Sequence, residues 1–209
     1  MKKNFVSNSS ESSRMFKSNV LEALSKVHVT VPLILFIPII GFLFINAIQT
    51  EPVSVILIAS SGGIVLWTWT EYVLHRFVFH FEPRSQWGKR LHFIFHGIHH
   101  DYPNDRLRLV MPPSVSLPLA LLFYLLFRIV LPAEYLSAFT AAFLAGYLFY
   151  DMSHYAIHHL HFKSRFWKRM KNHHMQHHYL DPTKGYGVTS SLWDKILFSD
   201  FRKSRQTRK

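Results

Sequence analysis

From Val29 to Ile48 the chain reads VTVPLILFIPIIGFLFINAI, twenty residues without a charge. That is the length an α-helix needs to cross the ~30 Å hydrocarbon core of a bilayer, and it is hard to place in a simple soluble fold. Pro32 and Pro38 are expected to bend this span. Three more apolar stretches follow: Pro52 to Thr70 with Glu71 at its end, Ser114 to Leu131 containing Arg128, and Tyr135 to Tyr150. Only QTE separates the first two and PAE the last two, so each pair is expected to form an antiparallel helical hairpin.

The charges set the orientation. Of 24 Lys and Arg, five precede residue 29, six lie in 76–113, twelve follow residue 150 and Arg128 is the remaining one, while the two short outer links hold none. The positive-inside rule then places both termini and the central loop in the cytoplasm. The net charge of +12 is accounted for by this topology, with no groove-reading motif that would argue for nucleic acid. Three regions are expected: a polar cytoplasmic tail and lead-in over 1–28, opening with a mobile MKKNFVSNSSESS; a membrane-embedded domain over 29–200; and a basic tail over 201–209. The N-terminus does not read as a signal peptide, because its first apolar block begins only near Val29.

There is no cysteine, which excludes disulfides, thiolate metal sites and a cysteine nucleophile. Histidine is abundant instead. Of fifteen, fourteen lie between residues 75 and 178, in four groups on the side assigned to the cytoplasm. HRFVFH holds His75 and His80; HFIFHGIHH holds His92, His96, His99 and His100. HYAIHHLH holds His154, His158, His159 and His161, and KNHHMQHHYLD holds His173, His174, His177 and His178. Protonated rings this dense would repel, so the clustering implies neutral imidazoles held for a metal. Residues three or four apart share a helix face, which lets His96 converge with His99 and His100, His154 with His158, and His174 with His177 and His178. Some ten imidazoles exceed what one ion accepts, so two metals held as a pair are expected.

These boxes, with EYVLHRFVFHFE, RLVMPP, YDMSHYAIHH and HHMQHHYLDPTKGYGVTSSLWD, resemble the fatty acid hydroxylase and sterol desaturase superfamily, from about Thr68 to Asp194. LVMPP and GYGVTS resemble its fatty acid 2-hydroxylase branch, including enzymes acting on ceramide acyl chains. The resemblance implies an all-α integral membrane fold, with four transmembrane helices in two hairpins and a cytoplasmic helical cap carrying a His-rich di-metal site. The implied ligands are His75, His80, His96, His99, His100, His154, His158, His174, His177 and His178. Asp151, His92 and His159 are candidates for supporting or alternative roles beside them; His28, His161 and His173 are expected at the interface or in solvent.

The implied activity is O2-dependent monooxygenation by two iron ions at carbon 2 of a fatty acyl chain, whether free, thioester or ceramide-linked. Zinc is able to occupy such a site in purified protein. No cytochrome domain fits in the 28 residues before the first span, so a separate cytochrome or ferredoxin-type reductase system is the expected electron donor. Arg106, Arg108, Tyr155, Tyr186 and Thr189 are candidates to face the lipid substrate. The alternatives are a sterol or carotenoid oxidase of the same superfamily, or a non-oxidative membrane zinc protein; dependence on O2 and reductant separates the last from the others.

Overall fold

The computed structural model describes residues 6, 7 and 9–201, and among these the protein is helical with no strand. A short α1 (Asn19–Leu24) leads into α2 (Thr30–Thr50) and α3 (Val53–Val73). The chain then tightens through π1 (Leu74–Phe79), α4 (Gln86–His92), π2 (Phe93–Gly97) and α5 (Ile98–Asp101). A second pair of long helices, α6 (Pro113–Val130) and α7 (Ala133–His159), is followed by α8 (Arg165–Tyr179) and α9 (Leu192–Ile196).

Proline punctuates both hairpins. Pro52 and Pro132 sit immediately before α3 and α7, and Pro113 opens α6, where a missing N–H leaves no bond unmade. Pro38 lies inside α2 and Pro118 inside α6, each removing one helical hydrogen bond.

Among the described residues three helices are long and apolar enough to cross a membrane: Thr30–Thr50, Val53–Phe79 and Pro113–Val130. The fourth expected span lies within α7, which is not among them, because α7 is the centre of the bundle and does not need a lipid-facing surface. It runs along both α2 and α3, with α6 on its outer side. In lipid the hydrophobic effect does not drive helices together, so close packing of small residues does. Ala59 of α3 packs with Ala138 of α7, and Gly63 against Ala142, in this way. A Cβ on Gly146 would lie 2.5 Å from the Trp67 ring, so only glycine allows this approach. Trp67 stacks edge-on against Phe143 and Tyr147 at 5.3 and 5.6 Å, and Phe36 of α2 against Tyr147 at 4.9 Å.

Below the bundle the cap is tied down by polar contacts. Arg108 is buried and donates to Glu22 at 2.6 Å, to Ser25 at 2.8 Å, to Ser12 at 3.1 Å and to the Ser13 carbonyl at 2.7 Å. Ser12 also donates to Asp105. Ser12 and Ser13, the last two residues of the stretch expected to be mobile, are therefore held against the cap. Residues 1–5 and 8, and the expected basic tail beyond Phe201, lie outside the described residues.

Candidate metal centre

The four histidine groups meet at the end of the bundle where π1, π2, α5, α7 and α8 converge. All ten imidazoles singled out by the resemblance come together, in two groups of five that can each hold a metal ion. The first contains His75, His80, His96, His100 and His177; the second contains His99, His154, His158, His174 and His178. The partition does not follow the sequence boxes. Across π2 and α5 the i,i+4 pair His96/His100 stays in one group, as does His174/His178 in α8, while the intervening His99 and His177 go to the other. Adjacent residues thus point to different centres.

His75 and His80 are five apart, a spacing an α-helix would splay. The π turn resolves this: the His80 amide donates to the His75 carbonyl, and the i,i+5 register brings both rings to one face. Hydrophobic periodicity carries no sign of this segment, although the H-x4-H spacing itself is the hint.

The ring nitrogens converge through Nε2. In the first group, His96 Nε2 lies 3.2 Å from those of His75 and His80 and 3.0 Å from that of His100, and His177 Nε2 lies 2.9 Å from that of His80. In the second, His174 Nε2 lies 2.9, 3.0 and 3.1 Å from those of His154, His158 and His178. His99 Nε2 is buried without a hydrogen-bond partner. Neutral imidazole cannot satisfy so many mutual contacts, since each ring has one N–H and one lone pair. Nitrogens about 2.1 Å from a common ion and at right angles about it would lie about 3.0 Å apart, which is the separation found here. The donor set therefore fits a nitrogen-ligated divalent metal in each group.

Burial keeps the rings neutral. It lowers the pKa of His96, His99, His174 and His178 well below the ordinary imidazole value, with neighbouring imidazoles adding to the effect. His177 is lowered to about 4 by burial, against the opposing pull of the Lys184 carbonyl.

A loop over 184–199 backs the first group. His177 donates from Nδ1 to the Lys184 carbonyl at 2.6 Å, and His75 Nδ1 bonds the Tyr186 carbonyl, which leaves both Nε2 lone pairs facing the group. The loop is fixed by two carboxylates that the sequence did not single out. Glu71 accepts from the Val188 and Thr189 amides at 2.8 and 2.9 Å and from the Thr189 hydroxyl at 2.5 Å. Asp194 accepts from the Tyr186 and Gly187 amides, from Ser199 Oγ and from His173 Nε2, at 2.7 to 3.0 Å. Burial works against the Asp194 charge, yet the His173 ring and these other donors hold it below the usual carboxylate range. Gly187 is required here, because a Cβ would fall 2.0 Å from the Ser190 carbonyl, and Gly185 adopts φ +72°.

Several expected roles change. His173 is buried and paired with Asp194 rather than facing solvent. Asp151 accepts from the Met111 amide at 3.2 Å and Tyr147 OH at 3.3 Å, and supports the loop before α6 instead of bonding a ligand ring. His92 and His159 lie outside both groups; His159 packs on Tyr155 at 4.6 Å. Arg108 is occupied with Glu22 and the N-terminal segment, Thr189 with Glu71, and Arg106 is exposed. The Tyr186 ring lies 5.4 to 5.8 Å from those of His75, His80 and His177. His28 and His161 are exposed.

Residues 60–199 match the family described as Fatty acid hydroxylase. The chain is 37% identical over 189 residues to dihydroceramide fatty acyl 2-hydroxylase FAH2 of Arabidopsis thaliana, covering 90% of this chain and 79% of that protein. It is 37% identical to ceramide very long chain fatty acid hydroxylase scs7 of Schizosaccharomyces pombe and 34% identical to the fatty acid 2-hydroxylase of Homo sapiens, over 86% and 87% of its own length. It spans only about half the length of those two, 52% and 55%. A solved structure titled full length scs7p, with only the hydroxylase domain visible, superposes with a TM-score of 0.84 at 35% identity, over 88% of this chain and 70% of that one. With its match spanning 60–199 and every histidine of both five-ring groups inside that range, the chain belongs to the fatty acid hydroxylase family.

Proposed function

We propose that this chain hydroxylates carbon 2 of a fatty acyl chain at a centre of two iron ions. The observation that carries the reading is the pair of contiguous five-imidazole groups at the end of an apolar helical bundle. His75, His80, His96, His100 and His177 would hold one ion, and His99, His154, His158, His174 and His178 the other. When bound, the irons supply the reactivity toward O2 that an unactivated C–H bond demands. The reaction balances as R–H + O2 + 2 electrons + 2 protons giving R–OH + water, so an external electron donor of the cytochrome or ferredoxin-reductase kind completes it.

The protein's own part is position and exclusion of water. Trp67, Leu74, Met111, Leu119, Phe123 and Tyr147 line a narrow apolar crevice between α3, α6 and α7, which would have to widen to admit an acyl chain. Asp151 fixes Met111 at this cleft one helical turn before His154, which favours the carbonyl end of the substrate lying toward the second group. We further infer that α7 is the fourth membrane span, that residues 29–200 form one membrane-embedded unit, and that the cap and both termini are cytoplasmic, as the distribution of Lys and Arg argues.

The test is mass spectrometry of total acyl chains from aerobic cells producing this protein with a compatible electron donor, beside His177→Ala. A gain of one oxygen at carbon 2, absent in the variant, is expected. Unchanged acyl chains from folded, metal-loaded, reducible protein would sink the assignment and turn the search to sterols and carotenoids.

A further inference from the structure

The two groups of five imidazoles are supported differently. In the first, His75 and His177 each have their outward nitrogen bonded to a main-chain carbonyl, of Tyr186 and Lys184. In the second, His174 Nδ1 and His178 Nδ1 are buried with no hydrogen-bond partner. A carbonyl on Nδ1 fixes the tautomer, locks the ring plane and makes Nε2 more basic; a ring without one has none of these advantages.

Both carbonyls belong to the loop over 184–190, and Glu71 and Asp194 share the task of holding it. Glu71 reaches it from the last turn of α3, four residues before His75, and takes both loop amides on a single oxygen, Oε1. Asp194 takes the amides of Tyr186 and Gly187 from the other side, one on each oxygen. Tyr72, bonded to Ser199 at 2.8 Å and receiving Arg76 at 2.5 Å, ties the segment just after α9 to the same helix. Neither carboxylate reaches a ring of either group.

We propose that Glu71 and Asp194 are positioning residues for one half of the centre only: by clamping the loop over 184–190 they orient His75 and His177, making the first group the tighter of two unequal ion sites. This rests on the two-ion reading above. The second group, with less rigid rings, is the one that exchanges its ion and adjusts its coordination.

The experiment uses the full chain in detergent, stripped with chelator and titrated with Zn2+ in a competing buffer, with bound zinc counted per chain. Wild type is expected to fill in two steps. His178→Ala should delete the weaker step and leave the tighter. Glu71→Ala should weaken the tighter step about 10- to 100-fold, as loss of outer support does at other metal sites, and leave the weaker step in place. Glu71→Gln, which keeps an oxygen for the loop amides, should restore most of the loss. Should Glu71→Ala fail to fold, Thr189→Val removes one of the three bonds to Glu71 and should move the tighter step in the same direction by a smaller factor. Two equal steps in wild type, or equal weakening of both steps in Glu71→Ala, overturns the proposal. A wild-type capacity of one zinc or none overturns the two-ion reading itself.

Discussion

The two helices of the second hairpin, α6 and α7, are joined by two residues and divide their duties completely. In α6 only 11% of the apolar window is buried, and Leu121, Ile129 and Val130 stand 58%, 81% and 76% exposed. In α7 more than half of the residues are buried, including Thr140, Tyr147, Tyr150, Asp151, Ser153 and His154. The more apolar helix faces outward and the more polar one lies at the centre, the reverse of the pattern in a water-soluble core. Apolarity here marks contact with lipid. Burial marks work.

The largest break should come at the inner helix. His154→Ala removes one ring of the second group and is expected to lower 2-hydroxy acyl product to background and bound zinc from two to one per chain; retention of both ions and of product would contradict the assignment. A pH titration sharpens the contrast next. His177 titrates near 4 in the folded protein because burial disfavours its charge, against about 6.5 in the unfolded chain. The unfolded chain then binds more protons between these values, so the contribution is fully present above pH ~6.5 and is lost as pH falls toward 4. Ion retention in dialysed protein should also fall in acid as protons compete for the imidazoles, and α6, which has no carboxylate or imidazole, should contribute nothing to either change.

Smaller effects test packing alone. Gly146→Leu drives a side chain into Trp67 and should destabilise the bundle by about 1–3 kcal/mol, read as a lower midpoint of thermal unfolding in detergent. Leu121→Ala on α6 should stay within about 0.5 kcal/mol in the same assay. Equal shifts for the two substitutions would erase the distinction between inner and outer helix.

Much of this was legible in residue order, and the exceptions have physical causes. The span Val29 to Ile48 corresponds to α2 within two residues, because twenty uncharged residues leave few options. The expected end of the second span at Thr70 proved early, since the helix continues through Glu71 and into π1. A charge at an apolar boundary reads as the water interface; here Glu71 is 5% exposed and hydrogen-bonded by donors 117 and 118 residues away. His173 misled for the same reason: its partner Asp194 is distant in sequence, and no spacing rule links them. The histidine boxes were readable because helical neighbours are neighbours in sequence. Which ring joins which group was not, because it depends on how α5, α7 and α8 cross.

The division of His99 from His100, and of His177 from His178, has one more consequence. Each group receives one ring from each of these neighbouring pairs, so the two groups are joined twice through a single peptide link, with Cα atoms about 3.8 Å apart across a trans bond. Changes in bilayer thickness, temperature or helix tilt can carry the pair of centres up, down or sideways, but they have little leverage on the distance between them.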